Sequence, residues 1–286
     1  MTERIVRADG IELATEAFGD PKHPPLLLIM GAMASMLWWP DEFCELLASR
    51  KRRVIRYDNR DTGRSTSYEP GSPGYTLEDM ANDAVRVLDA YEAGTAHIVG
   101  MSLGGQIAQL ASLKFPARVV TLTAISSSPL GSAGAGLPGP TPAYLEHSAG
   151  FTDVDFADRA QATAFLLADS RFITGSAHPF DEARAVRLIQ RDRDRARSFG
   201  SATNHLLLKG SGAWGARLHE LRAPLLVIHG TEDPIFPLEH GIALSKAVRG
   251  AALVKLEGSG HELNEADWGK IIDAIAAHTR SSDRAA

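Results

Sequence analysis

Ala96-His97-Ile98-Val99-Gly100-Met101-Ser102-Leu103-Gly104-Gly105 is the stretch on which the fold turns. Residues 97–100 read as a short buried strand, and residues 102–115 carry apolar positions at helical spacing. Between the two, Gly100-Met101-Ser102-Leu103-Gly104 fits G-x-S-x-G. The pattern alone is a weak signal in a chain with 26 glycines. Its place between a strand and a long apolar helix is what a strained nucleophile turn requires. Glycines two residues before and after the serine remove the Cβ atoms that would clash there. A serine at a helix N-terminus also meets the positive end of the dipole, which stabilises developing negative charge.

Outward from this turn the chain alternates short apolar strands with helices. Residues 11–18 read as an edge strand, residues 25–30 as a buried apolar strand and residues 53–57 as another. A helix spans residues 41–49, with Phe43, Leu46 and Leu47 on one face. A second spans residues 76–91, where Leu77, Met80, Ala84, Val85, Leu88 and Tyr91 trace the apolar stripe. Thr76 followed by Asp79 predicts a capping box, with Asp in the place usually taken by Glu. Residues 119–125 form the next strand. Residues 126–142, rich in Ser, Gly and Pro, then read as a loop or hinge.

Helical segments without strands follow, at residues 156–167, 179–199 and 203–209. Within them Arg191-Asp192-Arg193-Asp194-Arg195 alternates in sign, which predicts a solvated, salt-bridged helix face. The α/β rhythm returns with strands at 225–229 and 252–256 and helices at 238–248 and 266–278, ahead of a frayed tail at 280–286. The expected class is α/β: a mostly parallel, doubly wound sheet covered on both faces, interrupted by a helical cap. The core takes residues 1–128 and 217–286, and the cap residues 129–216.

Composition narrows the function. Of 286 residues, 44% are hydrophobic and 23% charged, which fits an ordinary globular protein better than a disordered, collagen-like or coiled-coil chain. A net charge of −5 gives no basic field for nucleic acid or anionic lipid. The single cysteine, Cys44, reads as a small buried residue, and no Cys/His cluster has metal-ligand spacing. The charged N-terminus has no signal-peptide core, and the longest early apolar run is far below the ~20 residues that span a bilayer. A cytoplasmic chain with no membrane partner is expected. A homo-oligomer is compatible with all of this.

A serine nucleophile needs a base and an acid that orients it. In a doubly wound sheet both belong in loops at strand C-termini. Gly230-Thr231-Glu232-Asp233-Pro234 offers Asp233, and Gly258-Ser259-Gly260-His261 offers His261. Glu232 is the neighbouring alternative to Asp233, and the loop Ser126-Ser127-Ser128-Pro129 has no carboxylate. His97 and His229 read as packed core histidines, whereas His147, His178, His205, His219 and His240 read as surface residues. The oxyanion hole needs two backbone N–H groups. Leu103 supplies one and Ala32, in Met30-Gly31-Ala32-Met33, the other. Met33, Met36, Leu37 and Trp38, with Ile235 and Phe236 from the acid loop and Trp214 at the cap exit, form an apolar substrate-binding set. They predict a small hydrophobic ester with an apolar or aromatic acyl group. No metal or organic cofactor is needed.

Together these residues resemble the α/β-hydrolase superfamily over essentially the whole chain. Within it the sequence is most similar to the aclacinomycin methylesterase group of bacterial esterases. The likeness runs through Glu3-Arg4-Ile5-Val6, Phe18-Gly19-Asp20, Trp39-Pro40-Asp41-Glu42-Phe43, residues 56–65 and Leu137-Pro138-Gly139-Pro140. The resemblance implies an α/β-hydrolase fold with the cap inserted after the sixth strand. It implies a serine esterase with Ser102, Asp233 and His261 as its triad and Ala32 and Leu103 at its oxyanion hole. Met30-Gly31 replaces the His-Gly common in the superfamily, and Asp61 replaces a glycine in Asp58-Asn59-Arg60-Asp61-Thr62-Gly63-Arg64-Ser65. Both departures are shared with the methylesterase group. Related families use the same triad for C–C bond hydrolysis or cofactor-free perhydrolysis (haloperoxidase activity), and a ligand-binding receptor on the same fold is the alternative from another class.

Overall fold

The computed structural model describes residues 3–208 and 212–283. Eight strands form one sheet in the order β1-β2-β4-β3-β5-β6-β7-β8. In chain order they are β1 (Arg4–Ala8), β2 (Ile11–Phe18), β3 (Pro25–Ile29), β4 (Arg53–Tyr57), β5 (Ala96–Met101), β6 (Val119–Ile125), β7 (Leu225–Gly230) and β8 (Ala252–Leu256). From β4 to β8 all neighbours are parallel, and β2 is antiparallel to both β1 and β4. Residues 11–18 are therefore not an edge strand. The outer place belongs to β1, which the sequence hides because only Val6 of its five residues is buried. Asp9 (φ 49°) and Gly10 (φ 78°) join β1 to β2 as a two-residue hairpin turn with two left-handed residues.

Side-chain alternation feeds two core layers. Leu27 and Ile29 of β3 point to one, and Leu26 and Leu28 to the other. The first layer is covered by α2 (Leu77–Ala90), α3 (Leu103–Lys114) and α7 (Leu238–Ala247), the second by α1 (Asp41–Ala48) and α8 (Trp268–Asp283). The tail expected from residue 280 is helical as far as Asp283, and residues 284–286 lie outside the described chain, as does Lys209. On α1, Phe43 and Leu47 are buried while Leu46 is 48% exposed. Cys44 is fully buried there, and burial pushes its thiol up to about 12. The expected capping box on α2 is present, with Thr76 Oγ1 and the Asp79 carboxylate each taking the other's backbone N–H.

Between β6 and β7 the described residues hold no strand. They form α4 (Pro142–Ala149), α5 (Arg159–Ile173) and α6 (Glu182–Arg195), followed by 3₁₀ turns at Gly200–Leu207 and Gly212–Glu220. The helix α4 falls where the sequence pattern gave no separate segment, and α5 runs six residues past its expected end. Strands β5 and β7 are buried along their whole length, which fits a sheet covered on both faces. Among the described residues no helix is long and apolar enough to cross a membrane.

A tight joint of this architecture is the start of α3. A Cβ on Gly104 would lie 2.1 Å from the Ile29 carbonyl oxygen of β3, so helix and sheet can meet only through glycine. Gly104→Ala should lower Tm by about 5–10 °C, whereas Gly139→Ala, with open space around it, should move it by no more than about 1 °C. Thermal unfolding of the two variants beside the parent checks this. Thr76→Ala should cost about 1 kcal/mol by losing the cap on α2, measurable as a shift of the denaturant midpoint.

Candidate active site

Ser102 occupies the turn from β5 to α3 with φ 53° and ψ −121°, backbone angles that L residues rarely adopt. Its N–H donates to Ile125 O at 2.9 Å, and its carbonyl accepts the Gly105 N–H and the Ser127 hydroxyl at 2.9 and 2.8 Å. Glycines make the turn sterically feasible. A Cβ on Gly100 would stand 2.1 Å from Gly104 O, and one on Gly105 would stand 2.5 Å from Ser127 Oγ. The loop after β3 passes directly over the serine, where a Cβ on Gly31 would be 3.1 Å from Ser102 Cβ.

The strands β7 and β8 end at the same side of the sheet. Asp233, in the loop after β7, is 3% exposed, and its Oδ1 accepts the N–H groups of Ile235 and Phe236 at 2.9 and 2.8 Å. That turn leaves Oδ2 for His261 Nδ1, which donates to it at 2.7 Å. His261 Nε2 is then the ring's lone-pair nitrogen. Among the described residues Ser102 Oγ makes no hydrogen bond. Phe236 packs against His261 with ring centroids 5.7 Å apart, in edge contact. His229 is fully buried beside them and donates from Nε2 to Phe236 O at 2.7 Å. Burial holds its pKa below the usual histidine range. It is a core histidine as expected, and so is His97, paired with Thr121 at 2.8 Å.

The inserted helices dock on these loops through the backbone. His261 N–H donates to Ile173 O, Ala177 N–H to Gly258 O and Thr141 N–H to Pro234 O, at 2.8, 2.9 and 2.8 Å. Glycine permits the approach: a Cβ on Gly260 would lie 1.9 Å from Ile173 O, and one on Gly175 would lie 2.1 Å from Gly258 O. Glu232 faces this seam instead of His261, accepting the Ser176 hydroxyl and N–H at 2.7 and 2.8 Å. Helix α5 also brings Asp169 within electrostatic reach of His261. Asp169 takes the Tyr144 hydroxyl, and His147 Nε2 at 3.2 Å, while the His147 ring stacks against Phe165 and Phe172. Burial raises the Asp169 carboxyl, and burial followed by the Asp169 charge raises the Tyr144 phenol.

The other residues expected at the site divide. Ala32, Met33, Trp38, Leu103, Ile235 and Phe236 are half-buried around the loops just described. Met36 has no accessible surface and Leu37 only 3%, so neither presents surface to open space. Trp214 is drawn away to α2, where its indole N–H donates to Glu78 at 3.0 Å under the Arg217 guanidinium. A cleft of about 350 Å³ lies beside α3, between Leu77, Gln106 and the loop from Ser128 to Leu130, and none of the expected lining residues borders it.

Two readings of the inserted segment are corrected. Asp192 and Arg195, expected on a solvated face, point inward: Asp192 is 3% exposed, and Arg195 pairs with Glu3 and with the buried Asp58, both at 2.7 Å. Burial pushes the Asp58 carboxyl up to about 6, against the opposing pull of Arg195. The signal lay in the three-residue spacing Ile189, Asp192, Arg195, which marks one helix face. His205 and His240, expected at the surface, are 4% and 7% exposed. No group of His, Cys, Asp and Glu among the described residues could hold a metal.

The sequence profile of the alpha/beta hydrolase fold matches residues 24–267. The chain is 35% identical to the rhodomycin D methylesterase DauP of Streptomyces sp. strain C5 and 33% identical to the rhodomycin D methylesterase DnrP of Streptomyces peucetius. In each case 99% of both chains is covered. A hydrolase from Pseudomonas aeruginosa superposes with a TM-score of 0.73 at 27% identity, over 97% of this chain and 98% of its own. A match of that length, on a sheet wound in this order, makes the chain a member of the alpha/beta hydrolase fold family.

Proposed function

We propose that this enzyme hydrolyses carboxylic esters, a methyl or other small-alcohol ester of a hydrophobic or aromatic acid, through an acyl-enzyme on Ser102. Ester hydrolysis is supported by the family and by full-length kinship to two methylesterases. The observation that carries the serine assignment is the Ser102 turn, with φ 53° held open by glycines, on the same sheet edge as the Asp233–His261 pair. In this reading residues 129–216 select the substrate, and the two core parts supply the chemistry.

His261 Nε2 takes the Ser102 proton as Oγ attacks the ester carbonyl. The backbone N–H groups of Ala32 and Leu103 receive the oxyanion, the second of them at the positive end of α3. The tetrahedral adduct collapses as His261 returns its proton to the departing alkoxide, which leaves as the alcohol. Water, deprotonated by the same nitrogen, then attacks the acyl-enzyme and releases the acid. Asp233 carries no proton in this cycle. Its Oδ2 fixes the Nδ1–H tautomer and stabilises the imidazolium, while the two N–H bonds to Oδ1 hold the carboxylate in place.

Rapid mixing with p-nitrophenyl acetate should release a burst near one equivalent of p-nitrophenol, and Ser102→Ala should abolish it, with kcat reduced at least about 10⁴-fold. A variant that keeps the burst rules Ser102 out as the nucleophile. Asp233→Asn should lower kcat by about 10⁴-fold with little change in KM, because the amide favours the wrong imidazole tautomer. Steady-state kinetics on a hydrophobic methyl ester decides it, and an unchanged kcat would move the acid to another residue.

A further inference from the structure

The loop that follows β3 carries Ala32, and the inserted segment holds that loop from the far side. Met33 N–H donates to His205 Nδ1 at 3.0 Å, and His205 Nε2 donates to Arg60 O at 2.7 Å. Two residues on, Ser35 N–H approaches Asp192 Oδ2 at 3.5 Å, and the Trp38 indole N–H donates to the same oxygen at 2.7 Å. The core contributes the next anchor, Met36 N–H to Asp58 Oδ1 at 2.9 Å.

Met33 itself stands at φ 63°, a left-handed conformation that a methionine does not keep without outside support. The peptide plane that bears its N–H shares the Ala32 Cα with the plane that bears the Ala32 N–H. A bond that fixes one therefore limits the swing of the other. His205 suits the task because it is buried and neutral. Burial outweighs the opposing pull of the Arg60 carbonyl and of the Asp61 carboxylate. Asp61 is itself occupied by the Tyr75 hydroxyl and the Asn204 amide at 2.7 and 3.0 Å. A protonated Nδ1 would set two donors against each other at Met33.

We propose that His205 is a positioning residue for ester hydrolysis: by accepting the Met33 amide hydrogen it fixes the loop so that the Ala32 N–H meets the oxyanion. The inserted segment thus completes the oxyanion hole without touching substrate. This rests on the assignment of Ala32 as oxyanion donor and of the chain as a serine esterase.

Two conservative substitutions in the full chain separate this from a space-filling role. In His205→Asn the amide oxygen takes the place of Nδ1 and can still accept from Met33. In His205→Gln the amide reaches the place of Nε2, keeping the Arg60 link and losing the acceptor. With p-nitrophenyl acetate, the Asn variant should keep kcat within about threefold of the parent. The Gln variant should lose about ten- to a hundredfold in kcat with KM nearly unchanged. Hydrogen exchange of the peptide spanning residues 31–38, followed by mass spectrometry, should speed up in the Gln variant only. If Gln does not fold, His205→Leu fills the same arm, since it occupies the space without an acceptor. Equal loss of kcat in both variants, or faster exchange with kcat unmoved, overturns the proposal. Failure of the esterase reading shows separately, as a parent enzyme with no burst, and takes this proposal with it.

Discussion

Ser102 can hold φ 53° only because Gly100, Gly104 and Gly105 carry no side chains, and most of the molecule is arranged around that constraint. The close approach of Gly104 to the Ile29 carbonyl sets α3 against β3. That contact in turn fixes where the loop after β3 can run, with Gly31 laid over the serine. Left-handed backbone recurs at the neighbouring positions, at Met33, Asp61 and Ser126, and each is held by bonds to other segments. Left-handed backbone thus falls in four neighbouring loops, and three of these residues are tied to partners far away in sequence: Met33 to His205, Asp61 to Asn204 and Ser126 to Ile228.

Charge buried between core and insertion is the second organising element. Asp58 and Asp192 lie close enough to repel, and Arg195 serves the first of them together with Glu3. Separating a buried pair of this kind by removing one partner typically costs about 3–5 kcal/mol, because the other charge is left uncompensated. Arg60 and Asp83 repeat the arrangement nearby with a two-pronged bond at 2.6 and 2.9 Å, tying the loop after β4 to α2. Such pairs give the interface a single register, which apolar packing alone would leave looser.

Much of this was legible in the chain. The strands at 53–57, 119–125 and 252–256 fall on their expected residues because each is a short apolar run bounded by turn formers. The Asp233–His261 bond was legible from two loops that each follow a strand and each offer one group of the right chemistry. Strand β1 was not, since its outer position leaves only one residue buried and no clean apolar alternation, and Asp9-Gly10 was the cue that stood for it. Asp192 and His205 escaped for a different reason. A polar residue in a helical, polar stretch looks solvated until its tertiary partner is known, and their partners lie 145 to 172 residues away. Trp214, expected at the substrate, meets Glu78 of α2 through its indole N–H, a partner that its place in the chain does not announce.

The seam between the insertion and the loops of Asp233 and His261 is made of main-chain hydrogen bonds and glycines. Side chains of α4 and α5 that take no part in that joint can be exchanged without loosening it, whereas Asp192 and Arg195 of α6, which tie the insertion to the core, cannot. Variation at the exchangeable positions can therefore reshape the insertion while the backbone seam stays put. Laboratory recombination could exploit the same modularity, provided that the grafted segment keeps Gly175, Asp192 and His205.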